Sequence, residues 1–182
     1  MSNSYSRSGQ MTRRQFVAIS ALGGAAAALG CSAGKRGNWE FLSEDRARTL
    51  TVLCDAIVPA DEFPSASQAG VLTYIDRQLT RHYRRHQDTY REGLDRAYTL
   101  GMKHFGKEPA ALSAELQEEF ANDIAQQDRS FFELVRKHTF EGYYGSPRHG
   151  GNRDGVSWQM LGLADPPVRG RAQYDLNQRP PA

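Results

Sequence analysis

The chain has 182 residues, 39% of them hydrophobic and 24% charged, which suits one globular domain with an appendage and excludes a multidomain assembly. A formal net charge of +2, with acids and bases interleaved, excludes a nucleic-acid binder driven by charge. No run reaches the ~18 apolar residues of a membrane span, and two cysteines, Cys31 and Cys54, exclude a disulfide framework.

Residues 1–31 read as an export signal. Thr12, Arg13, Arg14, Gln15 and Phe16 precede a mildly apolar, Ala/Gly-rich run from Val17 to Leu29. A basic start, a short apolar middle and small residues near a cleavage point make a secretory signal. The paired Arg13 and Arg14 ahead of Phe16 point to the twin-arginine pathway, which moves proteins already folded. Cys31 sits after Gly30 in a setting that resembles a lipoprotein processing box with its leucine displaced by one place. Cleavage after Gly30 makes Cys31 a lipidated first residue; cleavage beyond it removes Cys31 with the signal.

A linker over residues 32–43 follows, small and basic at first and ending in Trp39, Glu40, Phe41 and Leu42. A helical domain is then predicted over 44–164. Ser43 caps a first helix whose opening acids, Glu44 and Asp45, suit the positive end of the helix dipole. Leu50, Leu53, Cys54 and Ile57 share its inner face, with Cys54 read as an ordinary buried thiol. Val58, Pro59 and Pro64 break the chain before a second helix, capped by Ser67 and carrying Val71, Leu72, Ile75 and Leu79. A third runs from about His86 to Phe105 with Tyr90, Leu94, Ala97, Tyr98, Gly101 and Phe105 inward, and is closed by Gly106 and Pro109. Ser113 caps a fourth, with Leu116, Phe120 and Ile124 at helical spacing. A fifth starts near Arg129 with Phe131, Phe132, Val135, His138 and Gly142 along one stripe, and Val156 to Leu163 can form a last short turn. The tail, residues 165–182, is irregular and exposed. No segment alternates with a period of two, so the fold class is all-α: a small bundle of about five helices with a long ordered loop.

Three groupings could carry chemistry. His82 and His86 stand at the spacing for one metal ion, but Arg81, Arg84 and Arg85 crowd them and nothing completes a ligand set. Arg77, Arg81, Arg84, Arg85 and Arg91 form a basic run that is either a solvated face or a dock for an acidic partner. Glu141, His149 and Asp154 could supply an acid, a base and an orienter, yet no Ser or Cys stands in a nucleophile elbow for them to activate. His104 and His138 read as structural. No phosphate-binding glycine loop is present.

The most distinctive stretch runs from Phe140 to Trp158. Glycines at 145, 150, 151 and 155 are interleaved there with Tyr143, Tyr144, Arg148, His149, Asn152, Arg153, Asp154 and Trp158. Long polar loops on helical scaffolds tend to carry function, and Tyr, Trp and Arg are the residues of interface hot spots. Tyr143, Tyr144, Arg148, Asn152, Arg153, Asp154 and Trp158 are therefore the candidate contact with a partner, or the residues that hold the loop making it. The opposing reading has Asn152, Arg153 and Asp154 bonding inward.

This stretch, together with Leu53–Asp61, Ala69–Asp76, Tyr90–Leu94 and Gly101–Lys107, resembles the gluconate 2-dehydrogenase subunit 3 family over roughly Leu50 to Leu163. The resemblance implies a non-catalytic small subunit of a membrane-associated dehydrogenase complex acting on sugars or sugar acids. It implies no cofactor in this chain, FAD in a partner of the glucose-methanol-choline type, and haem c in a possible cytochrome subunit. The small subunit would stabilise the flavin subunit and escort it through the twin-arginine translocase into the periplasm. Two alternatives stand beside this: a subunit that completes the flavin enzyme's active site, and a free-standing periplasmic binding protein.

Overall fold

A computed structural model describes residues 39–163; the export signal expected at Arg13, Arg14 and Phe16, Cys31, the start of the linker and the tail lie outside the described residues. Within them the fold is all-α. Six α-helices occur among the described residues: α1 (Glu44–Ile57), α2 (Val71–Leu79), α3 (Gln87–Phe105), α4 (Ala114–Gln127), α5 (Arg129–Tyr144) and the short α6 (Val156–Met160). Single 3-10 turns at Arg84–His86, Pro109–Ala111, Pro147–His149 and Arg153–Gly155 join them.

The central helix is α1. Ser43 caps it, its hydroxyl accepting from the Arg46 N–H at 3.4 Å. Ala47, Leu50, Val52, Leu53 and Cys54 are all buried, so this helix is covered on more than one side. It touches α2, α3, α4 and α5. The other helices lay single apolar stripes on it: Leu72, Ile75 and Leu79 from α2, Tyr90, Leu94 and Ala97 from α3, Phe120 and Ile124 from α4, Phe131 and Val135 from α5. Gly93 lets α3 approach α5 closely, because a Cβ there would strike the Phe131 ring.

The chain enters the domain through a clamp. The buried Asp76 carboxylate on α2 accepts from three successive backbone N–H groups: Glu40 at 2.7 Å, Phe41 at 3.0 Å and Leu42 at 2.9 Å. A carboxylate can enter a core only when its lone pairs are filled in this way. Thr80 and Arg81, one turn on, hold the Glu40 side chain at 2.7 and 3.8 Å.

Two sequence expectations are corrected. Ser67 does not cap α2, because its N–H and hydroxyl both bond Asp55, at 2.8 and 2.7 Å. The helix starts four residues later, behind Gly70 at φ +82°, where a Cβ would lie 2.8 Å from the Gly150 carbonyl. That conformation and that space admit glycine. Tyr98 and Leu116, expected inward, are exposed, since no neighbouring helix covers their sides of α3 and α4. Ser113 does stand at the N-cap position of α4, without a side-chain hydrogen bond to its first turn.

Candidate functional site

The 140–158 stretch runs from the last turn of α5 through two 3-10 turns into α6. Its backbone takes positive φ at Gly150 (+103°), Asn152 (+45°), Asp154 (+59°) and Gly155 (+67°). Asn and Asp are the non-glycine residues that best tolerate the left-handed region. Asn152 is fully buried and does more than tolerate it. Its Nδ2 donates to the Gly145 carbonyl at 2.8 Å, and its Oδ1 accepts from the Ser157 N–H at 2.9 Å. One amide therefore joins the end of α5 to the start of α6.

Further ties fix the loop to the bundle. The Arg153 N–H donates to the Ala69 carbonyl at 2.9 Å, and Gly151 lies directly on the Gly142 backbone of α5. Trp158 Nε1 donates to the Tyr144 carbonyl at 3.0 Å, satisfying an acceptor left over at the end of α5. Tyr143 is buried, with its hydroxyl donating to the Pro64 carbonyl at 2.8 Å, and burial raises its pKa.

The seven candidate residues thus divide. Tyr143 and Asn152 face inward and hold the loop, and Trp158 is half-buried. Tyr144, Arg148, Arg153 and Asp154 are exposed. Tyr144 is 42% exposed beside Phe140 at 39%, their ring centroids 6.2 Å apart. Leu161 and Leu163, each 55% exposed, follow Trp158 directly. Phe140 and Tyr144 form an exposed aromatic pair at the end of α5, with Trp158 tied to the Tyr144 carbonyl. Phe140, Leu161 and Leu163 were not among the residues picked out from sequence; the i, i+4 spacing of Phe140 and Tyr144 was the available signal.

No catalytic triad is assembled here. The Glu141 carboxylate is taken by the Tyr83 hydroxyl and by Lys137 at 3.9 Å. His149 Nε2 accepts from Arg148 Nε at 3.3 Å, and Asp154 bonds through its backbone carbonyl to Gln159 at 2.7 Å. Among the described residues no group of three or more His, Cys, Asp or Glu is arranged to hold a metal ion.

A second cluster was invisible in sequence. The buried His138 ring lies parallel to Tyr83, centroids 3.9 Å apart, and to Tyr90, 5.8 Å apart. Its Nδ1 pairs with the Tyr90 hydroxyl at 3.0 Å, and the Tyr83 hydroxyl reaches Glu141 and Tyr74. Burial, then the nearby His86, Lys137 and Arg85, lowers the His138 pKa to about 4. The ring is therefore neutral near pH 7 and serves as a hydrogen-bonded wall of the core. Cys54 lies fully buried under Thr139, 3.3 Å from its hydroxyl, and burial pushes its pKa up to about 12, which makes it inert.

The basic run is partly neutralised: Arg81 faces Glu40, and Arg91 pairs with Asp88 at 2.7 Å while covering the Phe41 ring. His86 packs edge-on against Tyr83 and His138 rather than beside His82. An open groove of about 690 Å³ lies between α3 and α4, floored by Gly93, Ala97, Leu100 and Ile124.

A family model described as gluconate 2-dehydrogenase subunit 3 matches residues 44–165, more than half of the chain. Neither the curated proteins nor the solved structures searched gave a match.

Proposed function

We propose a function from one premise: the chain belongs to the gluconate 2-dehydrogenase subunit 3 family and is therefore a subunit of a dehydrogenase complex. Its own part is that of a non-catalytic small subunit. It stabilises the FAD-containing catalytic subunit, of the glucose-methanol-choline type, and escorts it by the twin-arginine pathway to the periplasm. A c-type cytochrome is the expected electron acceptor, and this chain itself carries no cofactor.

The observation that carries this reading is the exposed aromatic pair at the end of α5, next to a loop stapled to the bundle. The exposed Phe140 and Tyr144 rings lie 6.2 Å apart, the half-buried Trp158 bonds the Tyr144 carbonyl, and Leu161 and Leu163 are exposed just beyond α6. A pre-organised face loses little conformational entropy on docking, which favours binding over local chemistry. The signal with Arg13, Arg14 and Phe16 supports the export half.

The test is co-expression of the adjacent flavin subunit with the intact chain or with Arg13→Lys and Arg14→Lys, assaying dye-linked sugar oxidation in periplasmic and membrane fractions. Co-purification with the intact chain and loss of exported activity with the double variant are expected. Normal export of the flavin subunit in the absence of this chain would overturn the escort role.

A further inference from the structure

The stack on His138 is closed on one side by a piece of chain that little else holds. Residues 80–86 lead from α2 to α3 and end in the 3-10 turn Arg84–His86, none of whose residues is buried. The backbone bonds of this stretch are local. The Arg81 and Tyr83 N–H groups both donate to the Gln78 carbonyl, at 3.0 and 2.7 Å, and the His86 N–H donates to the Tyr83 carbonyl at 2.8 Å. Of residues 80–86 only Tyr83 is buried. Its ring lies flat on His138, and its hydroxyl meets Glu141 and, at 2.8 Å, Tyr74. Stack and hydroxyl together fasten the turn to α5.

The groups around His138 come from five pieces of the fold. The turn supplies Tyr83, Arg85 and His86, and α5 itself supplies Lys137 and Glu141. Tyr90 comes from α3, Tyr74 from α2 through Tyr83, and Cys54 from α1 under Thr139. Burial opposes a charge on the His138 ring, and His86, Lys137 and Arg85 add to that opposition. The carboxylate of the group, Glu141, is already engaged by the Tyr83 hydroxyl and by Lys137 at 3.9 Å.

A charged His138 can reach water in two ways. The whole bundle can unfold, or the turn can swing away and uncover the ring. The second route breaks one stack and a few hydrogen bonds and leaves the helices intact. It also carries off Arg85 and His86, two of the three cations that oppose the charge. Openings of so few contacts cost less than global unfolding.

We propose that residues 80–86 form an acid-released latch, closed on α5 by neutral His138 and swung open, with the helices still folded, when His138 takes a proton. The device is independent of the role assigned to the subunit. It differs from a general loss of stability in acid because it names the segment that leaves first.

Hydrogen exchange of the full chain, read by mass spectrometry on peptides from residues 81–87 and from α1, tests it. Rates are divided by the intrinsic rate at each pH. Protection of residues 81–87 should fall ~30-fold or more between neutral pH and about pH 4, because each unit between the closed and open pKa favours the open form ~10-fold. Exchange there should outpace α1 throughout and stay unchanged in low urea, whereas α1 speeds up, because the local opening exposes little surface. His138→Phe should flatten the acid response of the turn. The double variant Arg85→Gln, Lys137→Gln, at two exposed positions, should make it shallower, since fewer cations then oppose the proton. Exchange of turn and α1 in step, with the same urea dependence, would mean global unfolding and overturn the latch. A turn without acid response, or a His138→Phe response as large as that of the wild type, overturns it too. If His138→Phe does not fold, the double variant decides, and a fall as deep as that of the wild type counts against the latch.

Discussion

His138 makes folding stability depend on pH in a direction that can be worked out. Its ordinary pKa of 6.5 falls to about 4 in the fold. That change corresponds to about 3 kcal/mol between its charged and neutral forms. The unfolded chain binds the proton below 6.5, whereas the folded chain binds it only below about 4, so between these values unfolding takes up a proton and acid favours it. The contribution is fully present above pH 6.5, drains away as pH falls towards 4, and changes no further below that. Urea denaturation followed by circular dichroism, stepped across this window, reads the effect, but carboxylates elsewhere also titrate there. His138→Phe separates them. It keeps an aromatic ring between Tyr83 and Tyr90, cannot take a proton, and leaves the Tyr90 hydroxyl unpaired, costing about 1–3 kcal/mol near neutrality. The wild-type advantage over this variant should therefore shrink by about 3 kcal/mol between neutral pH and pH 4, and so vanish or reverse. A constant difference between the two proteins across the window would refute the reasoning, because it would mean that His138 titrates alike in both states.

Asp76→Ala leaves three backbone N–H groups without their acceptor and should cost about 3 kcal/mol or more, read by urea denaturation, with Asp76→Asn losing less because one carbonyl oxygen still accepts. Asn152→Ala removes the two hydrogen bonds through which its amide joins α5 to α6 and strains a positive φ. It should cost about 2–3 kcal/mol and open residues 145–155 to limited proteolysis while the rest of the bundle stays protected.

The helices were legible where local chemistry decides them. Ser43 with Glu44 and Asp45 marks the start of α1, and Gly106, at φ +69°, closes α3 in the left-handed conformation a helix end favours. Ser67 misled because a serine before an apolar stripe looks like a cap, while its partner, Asp55, stands twelve residues upstream on another element. Tyr98 and Leu116 misled because spacing says which residues share a face and not where the neighbouring helix ends. In the loop, composition marked the stretch, but the division between residues that hold it and residues it presents depends on the Pro64 and Gly145 carbonyls, which no spacing rule supplies. The stack of His138 on Tyr83 and Tyr90 joins α5 to residues 55 and 48 positions away and had no local signature.

The Asp76 clamp has a mechanical side. Traction on the chain ahead of Trp39 would reach the domain at Glu40–Leu42, where three bonds from consecutive residues converge on a single carboxylate and share the load. The load then passes into α2, whose other flank, at Thr73 and Arg77, props the Gly150 turn. The entry of the chain and the Gly150 turn are therefore mounted on one short helix, so a load on residues 40–42 is felt first by the loop that follows α5.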